Sequence, residues 1–444
     1  MRRQESSANR LPVPSATYVL DGVTILSVYL VLLYGVPSNR AIPALGSAGS
    51  VAVVWGLGAA LWWGWYQIQR TKPDEHHTGA RPVRIAAFLL FGSFLLSFVA
   101  AMTRPLPAEE TGPADTSMVR LVAWTGILLL ASDGLFSFER FMTLVRRLTM
   151  VGGLYAALGL LQFATNRSFV DLVSIPGLVT REGYDSIETR GGLTRAASTA
   201  THPLEYAMVL AMVLPIAITM ALYDRKRAAT VRWGIVAVVT LALALSGSRS
   251  AYIGMLAGLV VLIPTLTRRM RWTFAAAAVG VVAVLYVAAP RVITNVRYSF
   301  VALADDTSAT SRTDSYGLVF DMFQRSPFFG RGFGTFLPDY RILDNQYLQL
   351  LIEVGLVGLM GLGGLLVTSI ACALSARRNS ADQLMRGVGV ALAASVVSGA
   401  ALLALFDAFS FPQAAGSLFL ALGLCGSYWR LSRNGVKSVA VTQL

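Results

Sequence analysis

Long apolar runs separated by polar stretches set the rhythm of this chain. They fall at roughly 19–36, 50–67, 84–102, 118–135, 148–163, 204–222, 233–247, 251–266, 273–289, 346–374, 387–405 and 415–429. A helix of about 20 apolar residues crosses a hydrocarbon core of about 30 Å, so the pattern predicts an all-α polytopic membrane protein with about 12 transmembrane helices. The first run follows Met1-Arg2-Arg3 and a polar tail, lacks a small-residue cleavage site and is followed by further runs. It therefore reads as a membrane helix and not as a removed signal peptide.

The polar stretches are unequal. Two are much longer than the rest, about 164–203 and about 290–345, and long ordered loops carry sites more often than they merely connect. The expected organisation is a tail (1–18), helices one to five (19–163), a first outer loop (164–203), helices six to nine (204–289), a large outer loop (290–345), helices ten to twelve (346–429) and a second tail (430–444). Within the large loop, Ser311-Arg312-Thr313-Asp314 opens an amphipathic run from Tyr316 to Phe323, and Gly330, Gly332 and Gly334 break the pattern that follows. Its aromatic content argues against disorder and predicts a helical extracytoplasmic cap.

Composition supports the membrane reading: 55% of residues are hydrophobic and 14% charged, with a mean hydropathy of +0.59. The net charge of +13 suggests nucleic acid only until its distribution is considered. Basic residues gather in alternate short connections, at Arg70 to Arg84, Arg140 to Arg147, Arg225 to Arg232, Arg268 to Arg271 and Arg377 to Arg386, and in both tails. Glu109, Glu110 and Asp115 lie on the other side. The positive-inside rule then puts both termini in the cytoplasm and the long loops outside, and no nucleic-acid partner is called for. Cys372 and Cys425 sit inside apolar runs and read as small core residues. No metal-ligand spacing, phosphate-binding loop or nucleophile elbow occurs, and the Gly330 region has no strand before it, so no metal or cofactor is expected. His76 and His77 read as solvated loop residues, and His202 opens the sixth helix before Pro203.

Candidate chemistry gathers on the outer side. Arg249, in Ser248-Arg249-Ser250, separates two apolar runs with almost no loop, and Arg195 precedes the sixth helix on the same side. Either alone is a common headgroup anchor. Two guanidiniums at one depth suit a pyrophosphate, because their planar donors match phosphoryl oxygens and keep their charge. Asp344, in Asp344-Asn345-Gln346-Tyr347-Leu348, stands at the mouth of the tenth run. It reads equally as a helix N-cap and as a catalytic base, since partial burial strengthens a carboxylate as a base. Arg312, Arg331 and Arg341 are candidates for a carrier phosphate or an anionic glycan, with Asn345, Tyr347, His202 and Ser248 as further substrate contacts.

The ordered set Arg195, Thr199, His202-Pro203, Ser248-Arg249-Ser250-Ala251, Ser311-Arg312, Pro327 to Phe336 and Asp344 to Leu348, continued by Glu353-Val354-Gly355-Leu356-Val357-Gly358, resembles the O-antigen ligase and O-antigen polymerase (Wzy-type) superfamily. The resemblance spans about residues 190–365. It implies a metal-independent integral-membrane glycosyltransferase of GT-C-like build that takes a glycan from an undecaprenyl-pyrophosphate carrier and transfers it to an acceptor glycan or lipid core outside the membrane. It also implies that Arg195 and Arg249 grip the pyrophosphate. The ligase pattern carries a histidine where this chain has Asp344, which favours a polymerase of repeat units, with a chain-length co-polymerase as a candidate partner, over a ligase, and the resemblance implies a bacterial plasma or inner membrane. A transporter of the same lipid-linked glycan is the rival from another class, suggested by Glu205 and Pro215 in the sixth run. Transporters bind near the midplane on broken helices in repeated halves, whereas here the polar residues collect on one side.

Overall fold

The computed structural model describes residues 21–69, 80–170, 174–180, 188–190, 193–288, 294, 307–380 and 382–442. His76 and His77 lie outside the described residues, as do the 1–18 tail and much of the first part of the large loop. The chain is built from α1 (Gly22–Gly35), α2 (Val51–Gln69), α3 (Pro82–Met102), α4 (Ala108–Asp133), α5 (Phe138–Thr165), α6 (Pro203–Tyr223), α7 (Ala229–Leu245), α8 (Arg249–Leu262), α9 (Arg268–Ala288), α10 (Thr307–Arg325), α11 (Gln346–Glu353), α12 (Gly355–Ala376), α13 (Gln383–Leu403) and α14 (Pro412–Thr442). Among the described residues six helices are long and apolar enough to cross a membrane: α3, α4, α5, α6, α12 and α13. Three shorter apolar helices lie at Gly22–Gly35, Ala229–Leu245 and Arg249–Thr265. This is the fold of a polytopic helical membrane protein.

Helix α6 is its axis. Nearly every residue from Glu205 to Ala221 is buried, and α5, α7, α8 and α13 pack around it. A helix apolar on all sides belongs in such a position. Elsewhere the helices close through small residues, as expected where no aqueous hydrophobic drive exists between them. On α4, a Cβ added at Gly126 would come within 2.5 Å of Ala60 Cβ on α2. Polar ends are capped locally: Asp21 accepts from the Thr24 amide at 3.0 Å, and Ser137 accepts from the Arg140 amide at 3.3 Å. Both cysteines are buried and free.

Three sequence expectations change. The tenth run is not one helix: the chain breaks at Val354, and α11 and α12 meet at Gly355, whose φ is +62°. The acidic stretch Glu109–Asp115 is the first part of α4, not a loop. The architecture is also not purely α. Arg40–Ala41 (β1) pairs with Val179–Thr180 (β2), and Glu188–Arg190 (β3) pairs antiparallel with Leu193–Arg195 (β4). These ladders satisfy backbone groups of extended segments that leave the helical bundle.

The large loop contains the helix read from its pattern, α10, and a small apolar core of its own, in which Val319, Phe336, Leu343 and Ile352 come together. The glycine-rich segment wraps the break between α11 and α12. The Arg331 amide donates to Ile352 O (2.9 Å), the Gly332 amide to Glu353 O (2.8 Å), the Leu356 amide to Pro327 O (2.9 Å) and the Val357 amide to Phe328 O (3.1 Å). A Cβ at Gly355 would lie 2.5 Å from the Phe328 carbonyl carbon and oxygen. Gly355→Ala is therefore expected to cost about 2–4 kcal/mol, because the left-handed backbone and a backbone clash add. A lowered unfolding temperature in detergent would show this, and an unchanged one would mean the wrap yields easily.

Candidate active site

The segment 195–202 is held rigidly before it reaches α6. Gln162 on α5 takes the Ser198 amide through Oε1 at 2.7 Å and donates Nε2 to Ser198 O at 2.9 Å. Ser198 sits in the left-handed region, φ +55°, with its hydroxyl donating to Tyr155 O at 2.8 Å. Thr199 Oγ1 donates to Tyr34 O at 2.7 Å, and the Ser38 amide donates to Thr199 O at 2.9 Å. Arg195, at the end of β4, is thereby buried at the edge of the bundle.

Glu205 explains itself in the same network. Its Oε2 accepts from the Thr201 amide and the Ser38 hydroxyl, each at 2.9 Å, and its Oε1 accepts from the Gln413 amide at 2.7 Å. One carboxylate thus satisfies the N-terminal regions of both α6 and α14, where negative charge is favoured. Gln413 extends the web, with Nε2 on Thr199 O (3.2 Å) and Oε1 taking the Tyr155 hydroxyl (2.6 Å). Glu205 is a structural clamp between the starts of two helices.

His202 is the N-cap of α6: its Nδ1 accepts from the Leu204 amide at 3.1 Å. Its ring stands 5.7 Å from that of Phe411, which in turn stands 5.7 Å from Phe406. The turn between α13 and α14 therefore faces the 195–202 segment. The same turn receives α11: Gln346 Oε1 accepts from the Phe409 amide at 2.7 Å, and the Tyr347 hydroxyl donates to Ala400 O at 2.8 Å. Asp407 lies in this turn and within electrostatic reach of Asp344. Burial lifts the Asp407 carboxyl to about 6, the charge of Asp344 pushes the same way, and the hydrogen bond with Ser410 opposes both.

Arg249 reaches this place by helix register. Across the antiparallel α8–α13 contact, Gly254 faces Leu402 and Gly258 faces Ser398, so Arg249, at the start of α8, stands at the end of the bundle where α13 gives way to its turn into α14. Arg249 is the first residue of α8, after a turn in which Gly247 has φ +60° and the Tyr252 hydroxyl donates to Ala244 O at 2.8 Å. Ser248 is the N-cap, but its hydroxyl makes no capping hydrogen bond. A helix N-terminus beside a guanidinium is a favourable place for an anion.

Residues 234–363 match the family model for O-antigen ligase. The resemblance to the O-antigen ligase and polymerase superfamily is borne out. The O-antigen ligase match begins in α7 and ends in α12, so it includes Ser248, Arg249, Arg312, Arg331, Arg341, Asp344, Asn345 and Tyr347. Arg195, His202 and Asp407 lie outside the matched stretch. No curated protein matches the chain.

Within the matched O-antigen ligase stretch the residues divide. The N-cap of α11 is Asn345, whose Oδ1 accepts from the Tyr347 and Leu348 amides at 3.0 and 3.2 Å, so Asp344 is not the cap. Tyr347 is a strut through its bond to Ala400. Arg331 pairs with the buried Glu110 of α4 and lies 5.3 Å over the Tyr340 ring, and the Tyr340 hydroxyl donates to Glu110 Oε1 at 2.7 Å. That guanidinium braces the glycine-rich segment on α4 and is taken away from a carrier phosphate. Glu353 Oε1 takes the Phe336 amide and Gln349 Nε2, both at 3.3 Å, and is likewise a brace. Arg341 is half-buried three residues before Asp344 in the chain, and the side chain of Arg312 lies outside the described residues. Asp407 is the residue that sequence reading missed. Its signal was a lone carboxylate, Phe406-Asp407-Ala408, at the junction of two apolar runs, where an ionisable group is costly unless it has a task.

Proposed function

We propose that this O-antigen ligase/polymerase-like membrane enzyme polymerises undecaprenyl-pyrophosphate-linked oligosaccharide repeat units into a surface polysaccharide, on the extracytoplasmic face. The observation that supports the reading is the buried Asp407 on the α13–α14 turn, within electrostatic reach of Asp344, with Arg249 opening α8 at the same end of the bundle. An acceptor hydroxyl attacks the anomeric carbon of the lipid-linked sugar, and its proton passes to the Asp344–Asp407 pair. The bond from that carbon to the pyrophosphate oxygen breaks, and the departing electron pair leaves with the pyrophosphate. Arg249, the N-terminus of α8 and Arg195 stabilise the charge that collects there, where fixed donors in a water-poor site act most strongly. Attack opposite the leaving group inverts the anomeric centre. His202, Ser248 and Asn345 shape the walls. The gathering of basic residues in alternate short connections supports termini on the cytoplasmic side.

The family match itself favours a second reading, transfer of the glycan to a different acceptor by a ligase. The two separate on one gel. Purified protein in detergent, given a lipid-pyrophosphate-linked repeat unit as both donor and acceptor, is expected to give a ladder of lengthening glycans. Transfer only after a separate lipid or glycan acceptor is added would replace the polymerase with the ligase, and no transfer under either condition would remove both.

A further inference from the structure

The opposite end of α6 opens on a basic cavity. The helix is 21 residues long, so at a rise of about 1.5 Å per residue its C-terminus lies roughly 30 Å from the Glu205 clamp. There a cavity of about 300 Å³, its open mouth included, is lined by Arg146 and Thr149 of α5, Ala217, Met220, Ala221 and Asp224 at the end of α6, Arg227, and Arg232 and Ile235 of α7.

Its charges do not balance. Arg146 holds Asp224 through Nε–Oδ2 at 2.6 Å and Nη2–Oδ1 at 3.2 Å. Burial works against the Asp224 carboxylate, but the Arg146 contacts hold it below the ordinary aspartate range. One acid therefore faces three arginines. Arg232 donates Nη1 to Ala221 O at 2.5 Å, while its Nε is buried without a hydrogen-bond partner. Arg227 is exposed at the mouth, with Arg225 and Lys226 exposed beside it. The floor is apolar, through Ala217, Met220, Ala221 and Ile235. Trp233, exposed and 6.3 Å from Phe274 of α9, marks the depth of a membrane interface next to the cavity.

We infer that this cavity binds the phosphate of an anionic phospholipid headgroup, with Arg227 and Arg232 taking the phosphate and the apolar floor receiving the glycerol and upper acyl carbons. A basic pocket between helices with an apolar floor and an interfacial tryptophan fits a lipid better than a soluble phosphate, which would gain nothing from the floor.

The test is native mass spectrometry of the whole protein in detergent with equal phosphatidylglycerol and phosphatidylcholine. Wild type is expected to retain the anionic lipid preferentially. Arg227→Glu reverses a solvent-exposed charge and leaves the Arg146–Asp224 pair intact, so folding is expected to hold, as its unfolding temperature will show. It should reduce the preference more than roughly fivefold, the effect of about one charge at a membrane surface. Arg232→Gln should lower it as well. Equal retention of the two lipids by wild type, or an Arg227→Glu protein that retains the anionic lipid like wild type, would overturn the site. Displacement of bound lipid by millimolar glycerol 3-phosphate would show that the phosphate is held without the lipid, and would overturn the lipid assignment.

Discussion

Asp344→Asn and Asp407→Asn are each expected to lower turnover by about a hundredfold to ten-thousandfold, the usual contribution of a positioned general base, while the lipid-linked donor is still bound. The reason is the arrangement of the two carboxyls. Asn345, not Asp344, caps α11, so removing the Asp344 charge deletes no cap and should leave the unfolding temperature near wild type. Asp407 is lifted to about 6, by burial first and by the charge of Asp344 in the same direction. Activity should therefore rise as pH passes through about 6 and level off above it, and this acid limb should vanish in Asp407→Asn. The stability contribution runs the other way. A carboxyl whose folded pKa is raised stabilises the fold fully below its unfolded value near 3.8, and this is lost as pH rises through about 6. A rise in activity through pH 6 is thus not a by-product of folding. Turnover near normal in both variants would leave the pair a structural feature and the base elsewhere.

Arg249→Ala should be the second severe lesion, a loss of about a hundredfold to a thousandfold in turnover. Arg249 is half-buried at the start of α8, so the variant should fold, and removing a positive charge from a helix N-terminus relieves the dipole slightly. Arg249→Lys should recover little, because an ammonium cannot present the paired donors that match two phosphoryl oxygens. Arg195 needs a gentler test. It is only 6% exposed on a segment clamped by Gln162 and Tyr155, so Arg195→Ala leaves a hole as well as a missing charge, and Arg195→Lys is the informative change. Its reading is donor binding: weaker retention of the lipid-pyrophosphate with an unchanged unfolding temperature supports the clamp. Full activity in Arg249→Ala would remove it.

The sequence was most informative where the physics is local. Membrane thickness dictates apolar length, so α3, α6 and α13 lie close to where the apolar runs put them, while α5 starts at Phe138, well before its run at 148. The same runs misplaced the ends of α4 and joined α11 to α12, because hydropathy does not register a left-handed glycine such as Gly355 or an acidic first turn such as Glu109-Glu110. The short strands went unseen for a related reason: two or three residues carry no readable period.

The site divides along the same line. Arg195, Arg249 and Asp344 drew attention because each is an ionisable group near the edge of an apolar run, where its cost demands an explanation. Arg331 stood out only as a charge in the large loop, and its partner Glu110, 221 residues away in the chain, could not be read. Whether Asp344 caps a helix depended on which of two adjacent residues turns its side chain back onto the amides, and Asn345 does so. That the turn carrying Asp407 packs against the start of α11, and that Glu205 holds the starts of two helices, depended on contacts across 63 and 208 residues of sequence: Gln346 with Phe409, and Glu205 with Gln413. In a membrane the solvent sets the length and placement of helices one at a time, which a sequence records. It offers buried polar groups no water, so they must find one another across the bundle, and only the tertiary structure decides which of them meet.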